Sequence, residues 1–481
     1  MSDSLKLMDT MDTMDTKTFT EKLGELLGSK GWVTDEPSIE PFVTEWRGYW
    51  RGSCLGVAKP SSTEDVANVV KLCGKAGISI APIGGNTGLV GGGVPDGGIV
   101  LSTARLNTIR ELDSDNMTMT VEAGCILATI QDAAIECDLL FPLSLGAEGT
   151  CQIGGNLSTN AGGVGVLRYG NARDLVLGLE VVLPSGEVWN NLKGLRKDNA
   201  GYEMKHLFMG AEGTLGIITA AVLKLFPAPI SQETALIALP DAPSCLKAFT
   251  QLRKSCHDNM TAFEIISQTA LSLVEKHIPG TSGLFDDSHP WYALVELSSA
   301  RADDNLRAVF EGCLESALED GIITDALIAE NQAQAAAFWH IREAIPEAQI
   351  IEGTSVKHDV SVPVSSIPKF IETASCAVTQ ALPGTQLVCF GHMGDGNLHF
   401  NLSQPPEMDG QAFLDQWDDM NRIVHDIAID MGGSFSAEHG IGQLKRGELA
   451  RYASQSEINL MRTLKTALDP QGLMNPGKVI P

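Results

Sequence analysis

The run Ile83-Gly84-Gly85-Asn86-Thr87-Gly88-Leu89-Val90-Gly91-Gly92-Gly93 decides the fold. It follows directly on a strand-like segment, residues 78–82. It does not fit the G-x-G-x-x-G pattern of a dinucleotide-binding Rossmann unit. It is not a Walker loop either, because no Gly-Lys-Ser/Thr follows. What remains is a long glycine loop after a strand, able to aim successive backbone N–H groups at a phosphate. Standing alone it would read as a flexible hairpin loop.

It does not stand alone. Upstream, residues 57–60 end a strand, and Ser61 to Asp65 carry helix N-cap chemistry before Val66, Val69, Val70 and Leu72. The segment therefore opens β-α-β. Before it, residues 18–27 read as a short helix, and 35–52 carry Trp46, Tyr49, Trp50 and two arginines. Downstream, 100–102 and 118–122 read as strands and 126–138 as a helix. A second small-residue run, Gly154-Gly155-Asn156-Leu157-Ser158-Thr159-Asn160-Ala161-Gly162-Gly163, follows Pro142-Leu143-Ser144-Leu145-Gly146. A third, from Gly210 through Glu212 and Gly216 to Ile217 and Ile218, leads into another strand. Glycine lets backbone approach a large flat ligand closely. Three such loops between short strands imply one extended cofactor with a pyrophosphate, threaded between two small α/β lobes.

Farther on, Phe390-Gly391-His392-Met393-Gly394-Asp395-Gly396-Asn397-Leu398-His399-Phe400-Asn401 reads as a hairpin around a Gly-Asp-Gly turn. It would bring His392 near His399, and His399 and Asn401, two apart, share a face. Two imidazoles beside an amide begin a metal site that still needs another ligand. Glu438 and His439, flanked by glycines at 432–433, 440 and 442, are the candidates. Arg342, on an Ala-rich helix predicted over 329–344, and Lys357, in a strand-like stretch over 356–363, could bind carboxylates.

Composition narrows the function. The chain has 481 residues, is 43% hydrophobic and carries a net charge of −26, which argues against nucleic-acid or anionic-membrane binding. No apolar run is long enough to span a membrane. The ten cysteines form no CxxC pair, so reduced thiols in a cytoplasmic protein are expected. Residues 1–16, with Met-Asp-Thr three times, read as a disordered leader rather than a targeting peptide.

The order of the glycine loops resembles the FAD-binding domain of vanillyl-alcohol-oxidase-type flavoproteins. Gly84 to Gly88, Gly391 to His399 and Ser436 to Gly442 resemble, more narrowly, the D-2-hydroxyglutarate dehydrogenases within the D-2-hydroxy-acid dehydrogenase group. The resemblance covers nearly the whole chain beyond residue 40. It implies an α+β protein with a two-lobed FAD-binding domain over 17–228 and an α+β substrate or cap domain over 229–425. A mainly helical segment over 426–481 would return to the flavin domain. Residues 83–89, Pro142, Leu145, Gly146, Gly154, Gly155, Asn156, Thr159, Asn160, Gly162, Gly163, Glu212, Gly216, Ile217, Ile218 and Asn475 are the implied FAD contacts. Many relatives tether the flavin through a His where this chain has Asn86, so a non-covalent flavin is expected.

The resemblance further implies His392, His399 and Glu438 as ligands of one divalent metal, Zn with Co or Mn as alternatives. Arg342, Lys357 and Asn401 become substrate contacts, and His439 the catalytic base in contact with substrate. The implied reaction oxidises D-2-hydroxyglutarate to 2-oxoglutarate, with D-lactate, D-malate or glycolate as alternatives. Electrons would go to an electron-transfer flavoprotein or a quinone-type acceptor, and a homodimer fits the pattern. One departure stands out. Animal-type members have Thr four residues after the equivalent of Arg342, whereas Pro346 has no side-chain donor.

Overall fold

Ser62 caps the helix Thr63–Ala76 by accepting the Asp65 N–H at 3.0 Å, and Gly77 ends it in the left-handed region. Val66, Val69 and Val70 pack that helix on the parallel strands Val57–Ala58, Ile99–Ser102 and Ile80–Ile83. Full burial stabilises each valine by about 1.5–3 kcal/mol. This is the first lobe of the expected β-α-β opening, seen in a computed structural model that describes residues 14–301 and 303–481. Most of the expected leader lies outside the described residues. Its described end enters a helix, Thr16–Gly31, whose N-cap Asp15 accepts the Thr18 N–H.

The second lobe is a five-stranded antiparallel sheet. Its spatial order is Ile109–Asp113, Thr118–Glu122, Ile217–Lys224, Val176–Val182, Val188–Asn191. Leu127, Ile130 and Leu157 cover its apolar face.

The cap is built on a larger antiparallel sheet. Its order runs Asp325–Ile328, Ser231–Leu239, Trp291–Ser299, Met260–Ser267, Gln386–His392, Asn397–Ser403 and Ser355–Val356, with Asp359–Ser361 also paired to Asn397–Ser403. Ala242–Cys256, Leu306–Glu319, Ile367–Ala381 and Trp417–Asp430 cover one face. Gln268–His277 and Gln332–Glu352 cover the other. Cover on both faces explains why these strands read as nearly continuous apolar runs.

Three elements differ from the sequence expectation. The helix expected over 329–344 continues to Glu352, straight through Pro346. The strand Met260–Ser267 was not anticipated, because Glu264 interrupts its apolar run. A domain boundary expected after residue 425 falls inside the helix Trp417–Asp430.

The chain end returns to the first lobe. Ile80 N–H donates to Leu473 O and Asn475 N–H donates to Ile80 O, both at 2.8 Å. Among the described residues no helix is long and apolar enough to cross a membrane.

Candidate active site

All three glycine loops line one cleft of about 1000 Å³. Of the implied cofactor contacts, residues 83–88, Gly154, Gly155, Asn156, Thr159, Glu212 and 216–218 line it. A Cβ on Gly85 would meet Thr150 O at 2.2 Å, so only glycine closes that wall. Asn156 Oδ1 is buried and has no hydrogen-bond partner among the described residues. A buried acceptor left unpaired is costly unless a ligand donates to it. Bare backbone, the apolar walls Ile83 and Ile217, and this orphan acceptor suit a flavin dinucleotide. Asn86, in the left-handed region, donates its amide to Pro41 O and Thr44 O at 3.1 and 2.9 Å.

Other expected flavin contacts stand outside the lining: Leu89, Pro142, Leu145, Gly146, Asn160, Gly162, Gly163 and Asn475. Several have other work. The Leu89 carbonyl accepts from Arg47, and Asn160 Oδ1 accepts the Arg173 N–H. Asn475 donates to Gly92 O and Glu212 O, stapling the tail to the flavin loop. Glu212 lines the cleft, but its carboxylate accepts the N–H groups of Ile441 and Gly442 at 2.7 and 2.8 Å. It therefore anchors the loop that carries His439.

The expected hairpin forms, pairing Gln386–His392 with Asn397–Ser403. A Cβ on Gly396, at φ +87°, would strike Val362 O at 2.1 Å. His392 and His399 lie with ring centroids 5.9 Å apart, and His399 and His439 stack at 6.0 Å. His399 Nε2 is 3.5 Å from Glu438 Oε1. Asp359, His399, Glu438 and His439 present ligand-type atoms all within 4.8 Å of one another. His392 is not in that tightest group.

Two buried carboxylates that sequence reasoning missed organise this centre. Asp359 Oδ2 accepts the backbone N–H groups of Glu438 and His439 at 3.1 and 2.9 Å and lies 3.5 Å from His439 Nδ1. Its Oδ1 accepts from Asn397. Glu264 Oε1 is 2.6 Å from His392 Nδ1, and its Oε2 accepts from Arg342 Nε at 3.0 Å. The available sequence signal for both was an acidic residue inside a strand-like apolar stretch.

The electrostatics follow from burial and these pairs. Burial opposes charge on His392, but the adjacent Glu264 carboxylate outweighs it and raises the imidazole to about 9. Burial raises Glu438 to about 7 against the pull of His392. Burial lowers His399 well below an ordinary imidazole, and the Arg342 charge adds to this. Burial also lowers His439, with Asp359 pulling the other way. His439 is thus neutral and able to accept a proton near pH 7.

The expected substrate contacts are placed unequally. Lys357 is exposed and has no carboxylate partner among the described residues. Arg342 is buried, bound to Glu264 and stacked over Phe390 at 4.8 Å. Asn401 is buried with its amide engaged at both ends, donating to Gln349 and accepting the His358 N–H. Pro346 is exposed on the Arg342 helix.

Known proteins agree with this architecture. Residues 54–191 match the family model for an FAD binding domain, and 228–479 match that for the C-terminal domain of FAD linked oxidases. A D-2-hydroxyglutarate dehydrogenase of Xanthomonas citri is 38% identical, covering 93% of each chain. The chain belongs to the FAD-linked D-2-hydroxyglutarate dehydrogenase family. A putative mitochondrial D-lactate dehydrogenase of Schizosaccharomyces pombe is 36% identical over 98% of this chain and 90% of its own. In fold, p-cresol methylhydroxylase superposes with a TM-score of 0.76 at 15% identity, covering 96% of each chain. The family member described here is therefore an FAD-dependent oxidoreductase with the two-lobed flavin domain and cap expected from its sequence.

The expectation of a cytoplasmic enzyme is overturned. Plant and animal D-2-hydroxyglutarate dehydrogenases that match at 36–37% identity carry "mitochondrial" in their names. Scattered reduced cysteines do not separate one reducing compartment from another.

Proposed function

We propose that this family member oxidises D-2-hydroxyglutarate to 2-oxoglutarate with a non-covalent flavin and one divalent metal, Zn or, failing that, Co or Mn. The observation that carries the metal reading is the His392–Glu264 pair. A carboxylate on Nδ1 orients the ring with Nε2 available to an ion, the usual arrangement behind a metal-bound imidazole, and the ion would displace the Nε2 proton that Glu264 otherwise stabilises. His392, His399 and Glu438 would hold the ion. Asp359 is the poorer ligand, because its oxygens already accept two backbone N–H groups and the Asn397 amide. When bound, the metal would polarise the substrate hydroxyl and the flavin would accept the hydride from the α-carbon.

His439 takes the hydroxyl proton, and Asp359 orients its ring and stabilises the charge it gains. Lys357 and Arg342 attract the substrate carboxylates, and the buried walls around His399 and Glu438 exclude water. Asn401, through its bonds to Gln349 and the His358 N–H, fixes the strand that carries His399. The electrons pass on to an electron-transfer flavoprotein or a quinone-type acceptor. The donorless Pro346 favours a second reading, in which D-lactate, D-malate or glycolate is the substrate.

An anaerobic visible spectrum, with and without a chelator, tests these readings. Bleaching by D-2-hydroxyglutarate that the chelator abolishes is the expected result. Bleaching only by D-lactate, D-malate or glycolate would keep the flavin and move the substrate. Bleaching indifferent to the chelator would remove the metal.

A further inference from the structure

A second cavity, of about 1040 Å³, opens where the flavin domain meets the cap. Among the described residues it shares no lining with the flavin cleft. Leu167, Arg168 and Tyr169 line it from the flavin domain, and Phe226, Pro227 and Pro229 from the segment that enters the cap. The cap adds Arg253, His257, Asp258, Met260 and Ser298. Its size is at the upper end of ligand pockets, roughly 300–1000 Å³. The wall nearest the active site is the short helix Val166–Tyr169. Leu167 packs on Gly394, in the turn between His392 and His399, where an added Cβ would meet Leu167 Cδ1 at 2.5 Å. Arg168 crosses to the cap, its Nη1 donating to Ser298 O and Oγ at 2.9 and 3.0 Å.

The lining combines three chemistries. Tyr169 and Phe226 form an edge-to-face pair, centroids 4.8 Å apart and planes at 61°. With Pro227 and Met260 they make an apolar wall on which a planar ring can rest. Arg168 lies over the face of Tyr169 at 5.2 Å, and Arg253 over Phe249 at 5.6 Å. Neither guanidinium has a carboxylate partner among the described residues, so both keep open donors. In a chain of net charge −26, two such forks at one cavity mark a local anion site. Asp258 is the acid of the lining, and a carboxylate accepts well from ribose hydroxyls. His257 stands at φ +51° and ψ −133°, an uncommon backbone for a residue with a Cβ. Such strain gathers at ligand sites. A bare phosphate or a small hydroxy acid would leave the aromatic wall uncovered. A purely apolar ligand would leave two guanidiniums unpaired.

We propose that this junction cavity binds a nucleoside phosphate, with the base on the Tyr169–Phe226 wall, the ribose against Asp258 and the phosphates in the forks of Arg168 and Arg253. Arginine forks suit phosphate oxygens. The anchors come from both domains, so the ligand bridges flavin domain and cap and its binding energy adds to their joint. The proposal holds whichever 2-hydroxy acid is oxidised.

The test uses the full-length, flavin-loaded protein with ADP as the probe, read by titration calorimetry and by thermal unfolding. ADP should bind and raise Tm, while adenosine and pyrophosphate each bind about tenfold more weakly or worse. Arg253→Met should weaken ADP about tenfold or more and abolish most of the Tm rise. The Arg253 side chain is exposed and makes no hydrogen bond among the described residues, so this variant should fold with the ligand-free Tm of the wild type. Arg168→Met should weaken ADP as well, and in addition loses the Ser298 bonds. Absence of ADP binding overturns the proposal. ADP binding unchanged in Arg253→Met places the nucleotide elsewhere, as in the flavin cleft, and overturns it equally. Pyrophosphate as tight as ADP removes the nucleoside from recognition and overturns the ligand class.

Discussion

Glu264 Oε1 lies 2.6 Å from His392 Nδ1, at the centre of the cap sheet and 1% exposed. The same carboxylate binds Arg342, so one buried acid fixes two groups of opposite duty. Burial alone would raise a carboxyl pKa, but His392 and Arg342 together hold Glu264 down to about 2. Such a pair is costly to break, because removing one partner leaves buried charge uncompensated.

Glu264→Gln keeps the shape and removes the charge. Metal affinity should fall about 10–100-fold, the usual effect of losing a partner behind a ligating histidine. Titration with a chelator, followed by metal analysis, reads this directly. Glu264→Ala should in addition destabilise the fold by about 3–5 kcal/mol, seen in urea unfolding. Metal affinity equal to wild type in Glu264→Gln would detach His392 from the metal.

The hairpin carrying His392 and His399 was legible because its signals are local. Gly-Asp-Gly requires a tight turn, and period-2 alternation fixes which side chains share a face. The glycine loops were legible for the same reason. Glu264 and Asp359 were not. Their partners lie 128 and 80 residues away, and an acid within a strand-like apolar stretch does not by itself name the group it will meet. Glu212 was expected as a flavin contact from the family resemblance. It lines the cleft, and its carboxylate also accepts the N–H of Ile441, 229 residues away, a pairing only the folded chain brings together.

His439→Asn should cut kcat by about 10²–10⁴-fold, the range for loss of a general base. The flavin should remain, because the glycine loops supply most of the cleft's lining and Glu212 still holds the His439 loop. Stopped-flow reduction of the flavin by substrate measures the step. A rate of flavin reduction equal to wild type would give the base another identity.

Gly85→Ala should empty the flavin site. The added methyl would lie 2.2 Å from Thr150 O and 3.0 Å from Cys151 Cα, both main-chain atoms that cannot swing aside. The absorbance ratio of flavin to protein in the purified variant reports occupancy. A variant with full flavin content would show that the loop can shift, and that backbone fit there is not what selects glycine.

His358 gives the pH dependence a definite sign. It is buried, with Nδ1 on the Phe400 carbonyl at 2.8 Å and its ring edge-on to His425. Burial, with the His425 charge adding to it, lowers its pKa to about 3. The unfolded chain takes up a proton near pH 6.5 that the folded chain refuses. Stability from this group is therefore whole above about pH 6.5 and falls as the pH drops toward 3, by up to about 1.4 kcal/mol per unit. His358→Asn can still donate to Phe400 O but does not titrate. Urea midpoints taken between pH 6.5 and 5 should fall less steeply in the variant than in the wild type. Parallel slopes would mean that His358 carries a proton on both ring nitrogens in the folded protein as well as in the unfolded chain.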